Sequence, residues 1–201
     1  MADTLLLGDF KPCSESIGPG RRAGVWVRGC SIRCAGCATP EFIPAGRAAH
    51  AVTIDELMAR IAQEKSEHGL EGVTFSGGEP FEQADALAAL ARKCRALGLS
   101  VISWSGYTLE TLRRDAARRR LLAELDVVID GPFVSALRTD APMRGSSNQT
   151  VHFLTGRYGP EDFRERRAEF EVDAGGIVGT GVFDAQAARA VLKLFGIRTR
   201  A

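Results

Sequence analysis

Three cysteines lie close together in residues 30–37, with the spacing C-x3-C-x2-C. We place them on a loop, because a predicted strand over residues 23–28 runs directly into them. Soft thiolates select zinc, copper(I) or an iron–sulfur cluster. Three thiolates on a cubane cluster would leave one iron open to a non-protein ligand. Cys30, Cys34 and Cys37 are therefore the candidate metal ligands.

A zinc site is the alternative interpretation of the same three cysteines. Structural zinc takes four ligands, usually from two paired knuckles, and a second knuckle is absent from this sequence. The fourth ligand would then be Cys13, Cys94 or His50. Cys94 belongs to an apolar helical stripe, which is typical of a core residue.

A second motif, Thr-Phe-Ser-Gly-Gly-Glu-Pro, occupies residues 74–80 at the end of a predicted strand. Its two glycines allow the backbone to approach a ligand closely, and the carboxylate of Glu79 suits an ammonium group. Ligands of parallel sheets bind outside the carboxyl ends of the strands. We therefore expect Ser76, Gly77, Gly78 and Glu79 to bind a ligand, the alternative being a plain turn into a helix.

The elements around these motifs alternate regularly between strand and helix. Thr53 and Glu56 form a capping-box pattern at the start of the first helix. The elements that follow are a strand over residues 72–76, a helix ending at Gly98, a strand over 99–103, a helix over 108–125 and a strand over 126–130. This order predicts an α/β fold with right-handed βαβ units and a parallel sheet.

The signal weakens beyond residue 131. We expect a strand over residues 149–154, a hairpin formed by residues 169–173 and 176–180, and a last helix from Asp184 to about Phe195. The predicted organisation is a core over residues 1–156, with its metal loop at 30–37, and a C-terminal extension over 157–201 that contains the hairpin and the helix.

Composition and charge narrow the class of protein. The 201 residues carry 26 basic and 25 acidic side chains, a net charge of +1, so no global field attracts nucleic acid or a membrane surface. No run of 18 apolar residues is present, and the first residues do not form a signal peptide. We therefore expect a cytoplasmic protein with reduced thiols and with neither membrane nor nucleic acid as partner.

Together, the cysteine loop and the Gly-Gly-Glu-Pro turn resemble the radical S-adenosylmethionine superfamily. Further segments are similar to one subfamily, the activating proteins of anaerobic ribonucleoside-triphosphate reductase. They read Ile-Gly-Pro-Gly-Arg-Arg at residues 17–22, Cys-Ala-Thr-Pro-Glu at 37–41, Asp-Val-Val-Ile-Asp-Gly-Pro-Phe at 126–133 and Arg-Gly-Ser-Ser-Asn-Gln at 144–149. The resemblance covers about residues 12–155.

The resemblance implies the fold, the cofactors and the cofactor-binding residues. The sheet would curve into a partial (β/α) barrel, and Cys30, Cys34 and Cys37 would hold a [4Fe-4S] cluster. The open iron would be chelated by the amino and carboxylate groups of S-adenosylmethionine, and the turn at Gly77–Glu79 would receive the same amino group. Asp130 is the candidate for the ribose hydroxyls, with Ser103 and Ser105 as weaker candidates.

The resemblance also implies the reaction and its partners. An external one-electron reductant such as flavodoxin would reduce the cluster, and cleavage of S-adenosylmethionine would give a 5′-deoxyadenosyl radical. That radical would remove a hydrogen atom from a glycine of the anaerobic (class III) ribonucleotide reductase large chain. No side chain is expected to act as a general acid or base, because the cofactor carries the chemistry. Arg144 and residues 146–148 would bind the peptide segment of the reductase.

Two departures from the general superfamily pattern have different consequences. Gly36 stands where many radical enzymes carry an aromatic residue, and because glycine also occurs there in the reductase activators, it supports the narrower resemblance. The tail after Gly156 is longer than a minimal activator requires, so one alternative is a radical enzyme that modifies another peptide or a small molecule. The other alternative is a non-catalytic metal-binding module.

Overall fold

A computed structural model describes residues 4–45, 50–165, 168–173, 176–182, 190–191 and 193–194. Its centre is a seven-stranded sheet in the order β3-β1-β2-β4-β5-β6-β7. The strands are β1 (Thr4–Ser14), β2 (Arg22–Val27), β3 (His50–Thr53), β4 (Gly72–Gly77), β5 (Ser100–Trp104), β6 (Val127–Asp130) and β7 (Thr150–Phe153). Among the described residues, none of the helices combines the length and the apolar character that crossing a bilayer requires.

The middle of this sheet is parallel, as the alternating pattern predicts. Strands β2, β4, β5 and β6 run in the same direction, and helices connect β4 to β5 and β5 to β6. Their carboxyl ends therefore meet along one edge of the sheet, called the carboxyl edge below. Both the cysteine loop, which follows β2, and the Gly-Gly-Glu turn, which ends β4, lie on this edge.

The sheet as a whole is mixed, which corrects the prediction of a parallel sheet. β1 pairs antiparallel with β2 and with β3, and β7 pairs antiparallel with β6. The seven residues between β1 and β2 are too few for a parallel crossover, which needs a dozen or more. β6 and β7 are joined without a helical crossover: residues 131–149 contain only the single helical turn Ser135–Leu137.

Four helices complete the core: α1 (Ile54–His68), α2 (Ala84–Ala96), α3 (Leu109–Arg114) and α4 (Ala116–Leu122). The capping box of Thr53 and Glu56 is confirmed at the start of α1. The single helix predicted over residues 108–125 is wrong, because the chain breaks at Asp115. That residue has an extended backbone (φ −95°, ψ 134°), and its side chain caps α4 by accepting from the amide of Arg118.

The two faces of the parallel strands have different neighbours. Val25, Phe75 and Val101 lie on the face that packs with α1 and α2 in the main apolar core. The side chains at alternate positions lie on the opposite face, which we call the inner face. It is filled at one end by the fully buried Arg22, which donates to Thr74 Oγ1 (2.7 Å) and Ser100 Oγ (2.9 Å).

The tail packs onto this core. Strands β8 (Ala168–Asp173) and β9 (Gly176–Gly181) pair antiparallel as a separate two-stranded sheet, at the positions of the predicted hairpin. Lys11 of β1 forms an ion pair with Glu171 of β8, with 2.7 Å between Nζ and Oε1. Phe163, at the end of the helical turn Pro160–Phe163, packs with Met143 over the inner face. Asp184 and most of the predicted last helix lie outside the described residues.

Candidate functional site

The cysteine loop is fastened to the chain that follows it. The amide of Gly29 donates to Phe42 O (2.9 Å), and the amide of Cys30 donates to Ile43 O (3.1 Å). Phe42 ends a single helical turn, Pro40–Phe42. The thiols of Cys30, Cys34 and Cys37 are free and partly buried. Burial raises the pKa of Cys30 above its ordinary value, so a bound cation is what would stabilise its thiolate there.

The two predicted motifs are in direct contact, although about 40 residues separate them in sequence. The amide of Gly78 donates to Val27 O (2.7 Å), and the amide of Glu79 donates to Gly29 O (2.8 Å). A Cβ on Gly78 would lie 2.3 Å from Gly29 O, so no larger residue fits this approach. Beyond Cys37, the hydroxyl of Thr39 donates to Gly77 O (3.2 Å). Both ends of the cysteine loop therefore rest on the glycine turn.

Glu79 lies behind this turn instead of beside an open surface. Glu79 is only 1% exposed. One carboxylate oxygen accepts from Phe81 N (3.0 Å) and Ser105 Oγ (2.9 Å), and the other accepts from Gly106 N (2.8 Å). Burial raises the pKa of Glu79 to about 7, against the lowering effect of these three donors. Glu79 thus ties the end of β4 to the loop after β5, while Ser76, Gly77 and Gly78 are partly exposed.

Strand alternation separates the predicted cofactor residues into two groups. Ser76 lies on the inner face, in line with Thr74 and next to Trp26 of β2 in the strand register. Ser103 and Asp130 lie at the positions that face the helices, because they alternate with the inner-face residues Ile102 and Ile129. The structure therefore does not place all the predicted cofactor residues on one surface.

The carboxylate of Asp130 already has neighbours on the helical side of the sheet. It accepts from the amide of Leu109 (2.5 Å), the first residue of α3. Its other oxygen lies 3.0 Å from His152 Nε2, a contact at ion-pair distance that lacks hydrogen-bond geometry. Ser103 is fully buried and donates to Trp104 O (3.0 Å). Asp130 thus joins the end of β6 to the start of α3, whereas the hydrogen bond of Ser103 stays within β5.

The three thiols of the loop are not gathered closely enough for one tetrahedral zinc ion. Tetrahedral zinc–sulfur bonds of about 2.3 Å place thiolates about 3.8 Å apart. Within the described part of the chain, the three sulfur atoms do not form a group within 4.8 Å of one another. Cys13 lies at the opposite end of the β1–β2 pair, next to Ser14, which pairs with Arg22. Cys94 is buried in α2, and burial raises its pKa to about 12.

Residues 131–149 form a loop that contacts the cysteine segment. Phe133 packs against Gly36: a Cβ added at Gly36 would lie 3.7 Å from the ring. The amide side chain of Gln149 accepts from Gly145 N (2.8 Å) and donates to Gly131 O (2.9 Å). Ser146 is fully buried and its hydroxyl accepts from Val134 N (3.2 Å).

The sequence predicts that Arg144 and residues 146–148 bind a peptide, and this role stays a prediction. Ser146 is buried, whereas Ser147 and Asn148 are exposed, and the side chain of Asn148 donates to Pro132 O (2.8 Å). The Arg-Gly-Ser-Ser-Asn-Gln segment therefore holds the Asp-Gly-Pro-Phe segment in place, and Arg144 also donates within the loop, to Gln149 O (3.3 Å).

Three residues near the cysteines were missed by the reasoning from sequence. They are Thr39, already described, and the pair Glu82 and Tyr107, which both contact Ser31 of the cysteine loop. Thr39 could have been found from its position two residues after Cys37. Glu82 and Tyr107 have no spacing relative to the cysteines, and only the meeting of three loops brings them there.

The similarity to known proteins covers the part of the chain that contains the cysteine loop and the glycine turn. Residues 16–152 match the family model described as the 4Fe-4S single cluster domain. The chain is 31% identical over 152 residues to the anaerobic ribonucleoside-triphosphate reductase-activating protein of Salmonella typhi, covering 72% of this chain and 96% of the relative. The protein of that name from Escherichia coli K12 is 30% identical with the same coverage.

Two further similarities are more distant in source or in structure. The protein of the same name from Enterobacteria phage T4 is 31% identical over 146 residues, covering 70% of this chain and 88% of the relative. Among solved structures, a chain of QueE from Escherichia coli is similar with a TM-score of 0.40 and 17% identity, covering 52% of this chain and 53% of that chain.

Proposed function

The chain belongs to the family of anaerobic ribonucleoside-triphosphate reductase-activating proteins, and on that basis we propose that it generates a glycyl radical on an anaerobic (class III) ribonucleotide reductase. It is a radical S-adenosylmethionine enzyme with a [4Fe-4S] cluster. The observation that carries this proposal is the direct contact between the cysteine loop and the Gly-Gly-Glu turn at the carboxyl edge.

The cluster ligands in this proposal are Cys30, Cys34 and Cys37. They are the cysteines of the loop that rests on the glycine turn, and soft thiolates suit iron–sulfur clusters. Cys13 and Cys94 are left out because one lies at the far end of β1 and the other is buried in α2. Two of the three ligands flank Gly36, where the ring of Phe133 contacts the loop.

The cofactor side of the site consists of Ser76, Gly77 and Gly78, which are partly exposed beside the cysteine loop. Their backbone would bind the amino group of S-adenosylmethionine. Glu79 and Ser105 support this surface from behind, since their hydrogen bond joins the β4 turn to the loop after β5. The roles first given to Ser103 and Asp130 in ribose binding stay predictions.

When bound, the cluster and S-adenosylmethionine together supply a one-electron reduction and a hydrogen-atom abstraction. The chain's own residues bind and orient them. Gly77 has φ +103°, which glycine adopts without strain, and it turns the backbone at the edge of the sheet. The loop over residues 131–149 contacts the cysteine segment at Gly36 through Phe133 and Ser135.

Several finer features belong to the same proposal. The sheet would wrap into a partial barrel around the inner face, with residues 1–156 as the catalytic core and 157–201 as an extension. The reductant would be an external one-electron carrier such as flavodoxin. The protein would work in the cytoplasm, where thiols remain reduced.

The test is the formation of the radical on the reductase. We expect a glycyl doublet in the electron paramagnetic resonance spectrum after anaerobic incubation of the reduced protein with S-adenosylmethionine and the cognate reductase. The variant Cys34→Ala should give no doublet and should lose iron. Cys13→Ala is the matched control, because it removes a thiol at the opposite end of the sheet, and it should retain both iron and activity.

Two results would contradict the proposal. Production of 5′-deoxyadenosine without a doublet on the cognate reductase would show that the protein acts on another substrate. One zinc per chain in anaerobically purified protein, with no iron or sulfide, would show that it is a metal-binding module and not a radical enzyme.

A further inference from the structure

The carboxylate of Glu82 joins three loops at the carboxyl edge. One of its oxygens accepts from the amide of Ser31 (2.9 Å), from the hydroxyl of Ser31 (2.5 Å) and from the hydroxyl of Tyr107 (3.1 Å). Ser31 follows β2, Glu82 follows β4 and Tyr107 follows β5. We call these three residues the Glu82 clasp. It connects the ends of three neighbouring parallel strands at the point where the cluster is proposed to bind.

A fourth residue supports the clasp from outside. The guanidinium of Arg118 lies 3.9 Å from the centre of the Tyr107 ring, a distance at which the positive charge is attracted to the face of the ring. Burial alone would raise the pKa of Glu82, but the hydrogen bonds from Ser31 and Tyr107 and the charge of Arg118 outweigh it and lower the pKa. The carboxylate therefore accepts these hydrogen bonds in its ionised form.

Gln83, the residue after Glu82, attaches the helical turn Pro80–Gln83 to the sheet independently of Glu82. The side chain of Gln83 accepts from Leu6 N (2.7 Å) and donates to Arg28 O (3.0 Å), so it ties the turn to β1 and to the end of β2. Glu82 contacts the cysteine loop itself. The turn is thus attached to the sheet through Gln83 and to the cysteine loop through Glu82.

The position of Ser31 shows what the clasp does. The amide of Cys30 donates to Ile43 O (3.1 Å), and the next amide along the chain, that of Ser31, donates to Glu82. Both peptide units that flank Cys30 are therefore held, and together they set the direction of its Cβ. We infer that Glu82 is a positioning residue of the cluster site, which orients the thiol of Cys30 by holding Ser31. This inference rests on the proposed function only for the identity of the cluster.

The experiment compares Glu82→Ala with Glu82→Gln, using Glu110→Ala as the control. Glu110 is an exposed glutamate of α3 whose partner is Arg114 of the same helix. In the metal-free full chain, we measure hydrogen exchange at the amide of Ser31. In the reconstituted protein, we measure the rate at which a chelator removes iron and the spectrum of the reduced cluster.

We expect Glu82→Ala to speed exchange at Ser31 and to speed iron release by about tenfold each, the factor that corresponds to about 1.4 kcal/mol. The spectrum of the reduced cluster should change as well. Glu82→Gln keeps an oxygen that can accept from Ser31, so it should restore most of the wild-type behaviour. Glu110→Ala should match the wild type in every measurement.

Wild-type exchange and iron release in Glu82→Ala would overturn the inference, as would a Glu82→Gln variant no better than Glu82→Ala. If Glu82→Ala does not fold, Tyr107→Phe removes one donor to the same oxygen and keeps the ring under Arg118. It should then speed iron release in the same direction, and a wild-type rate would refute the clasp. The exchange measurement needs no reductase and no cluster, so its failure is separate from failure of the proposed function.

Discussion

Replacement of Glu79 by glutamine tests how the carboxylate at the turn is held. Glu79 is 1% exposed and accepts hydrogen bonds from two amides and one hydroxyl. Burial favours the neutral form of the carboxyl group, and the three donors favour the ionised form. Burial outweighs the donors, which raises the pKa of Glu79 from its ordinary value of 4.5 to about 7.

This pKa makes the stability of the protein depend on pH. Between pH 4.5 and pH 7 the folded protein keeps the proton of Glu79 while the unfolded chain loses it, so the free energy of unfolding falls as the pH rises. The stabilisation is fully present below pH 4.5 and is lost above pH 7. A difference of about 2.5 pKa units, at about 1.36 kcal/mol each, amounts to about 3 kcal/mol.

Glu79→Gln removes this dependence, because glutamine is neutral at every pH. We expect the unfolding free energy of the wild type, minus that of the variant, to fall by about 3 kcal/mol between pH 4 and pH 8.5. Urea unfolding of both proteins, in the metal-free form and under reducing conditions, measures this difference. Glu110→Gln is the matched control, since folding leaves the Glu110 side chain 76% exposed.

One result would refute the reasoning. A difference between wild type and Glu79→Gln that stays constant from pH 4 to pH 8.5 would mean that Glu79 has the same pKa in the folded and the unfolded chain, because the three donors offset its burial. The carboxylate would then be a negative charge behind the cofactor surface at neutral pH.

Two further predictions concern the glycine turn and the filled end of the inner face. Gly78→Ala should lower iron content and S-adenosylmethionine binding at least about tenfold, because its Cβ would lie 2.3 Å from Gly29 O. Iron analysis and equilibrium binding measure the two quantities. Gly156→Ala is the control and should change neither of them, because the space around Gly156 is open. Arg22→Met should lower the free energy of unfolding by about 3 kcal/mol in urea, because buried acceptors lose a charged donor. The same change at the exposed neighbour Arg21 should have a much smaller effect.

Much of the site could be predicted from the sequence because its signals are local. The spacing of the cysteines and the Gly-Gly-Glu-Pro turn each fit within a few residues, and both follow strands that the apolar pattern identifies. The orientation of side chains beyond these motifs could not be predicted. The resemblance implies a cofactor role for Asp130 and Ser103, which stays a prediction, and only the structure shows that strand alternation turns both toward the helices.

The break at Asp115 shows the limit of pattern reasoning along one helix. The apolar spacing continues through residues 108–125, so periodicity predicts one helix. Asp115 caps a new helix with its side chain instead, since a side-chain acceptor competes with the helical backbone for the same amide donors. The sequence contains both the apolar spacing of one long helix and the capping side chain of Asp115, and the tertiary structure shows that the chain breaks at Asp115.

The sequence by itself determined the strands β4, β5 and β6 with helices between them, the capping box of α1 and the two motifs, because neighbouring residues encode them. Only the tertiary structure decided which groups meet. It made the sheet mixed, since β1, β3 and β7 pair antiparallel with their neighbours, and it placed the glycine turn 2.7 Å from the backbone that leads into the cysteine loop. It also brought Glu82 and Tyr107 to Ser31, because parallel strands bring their carboxyl ends together however far apart they lie in sequence.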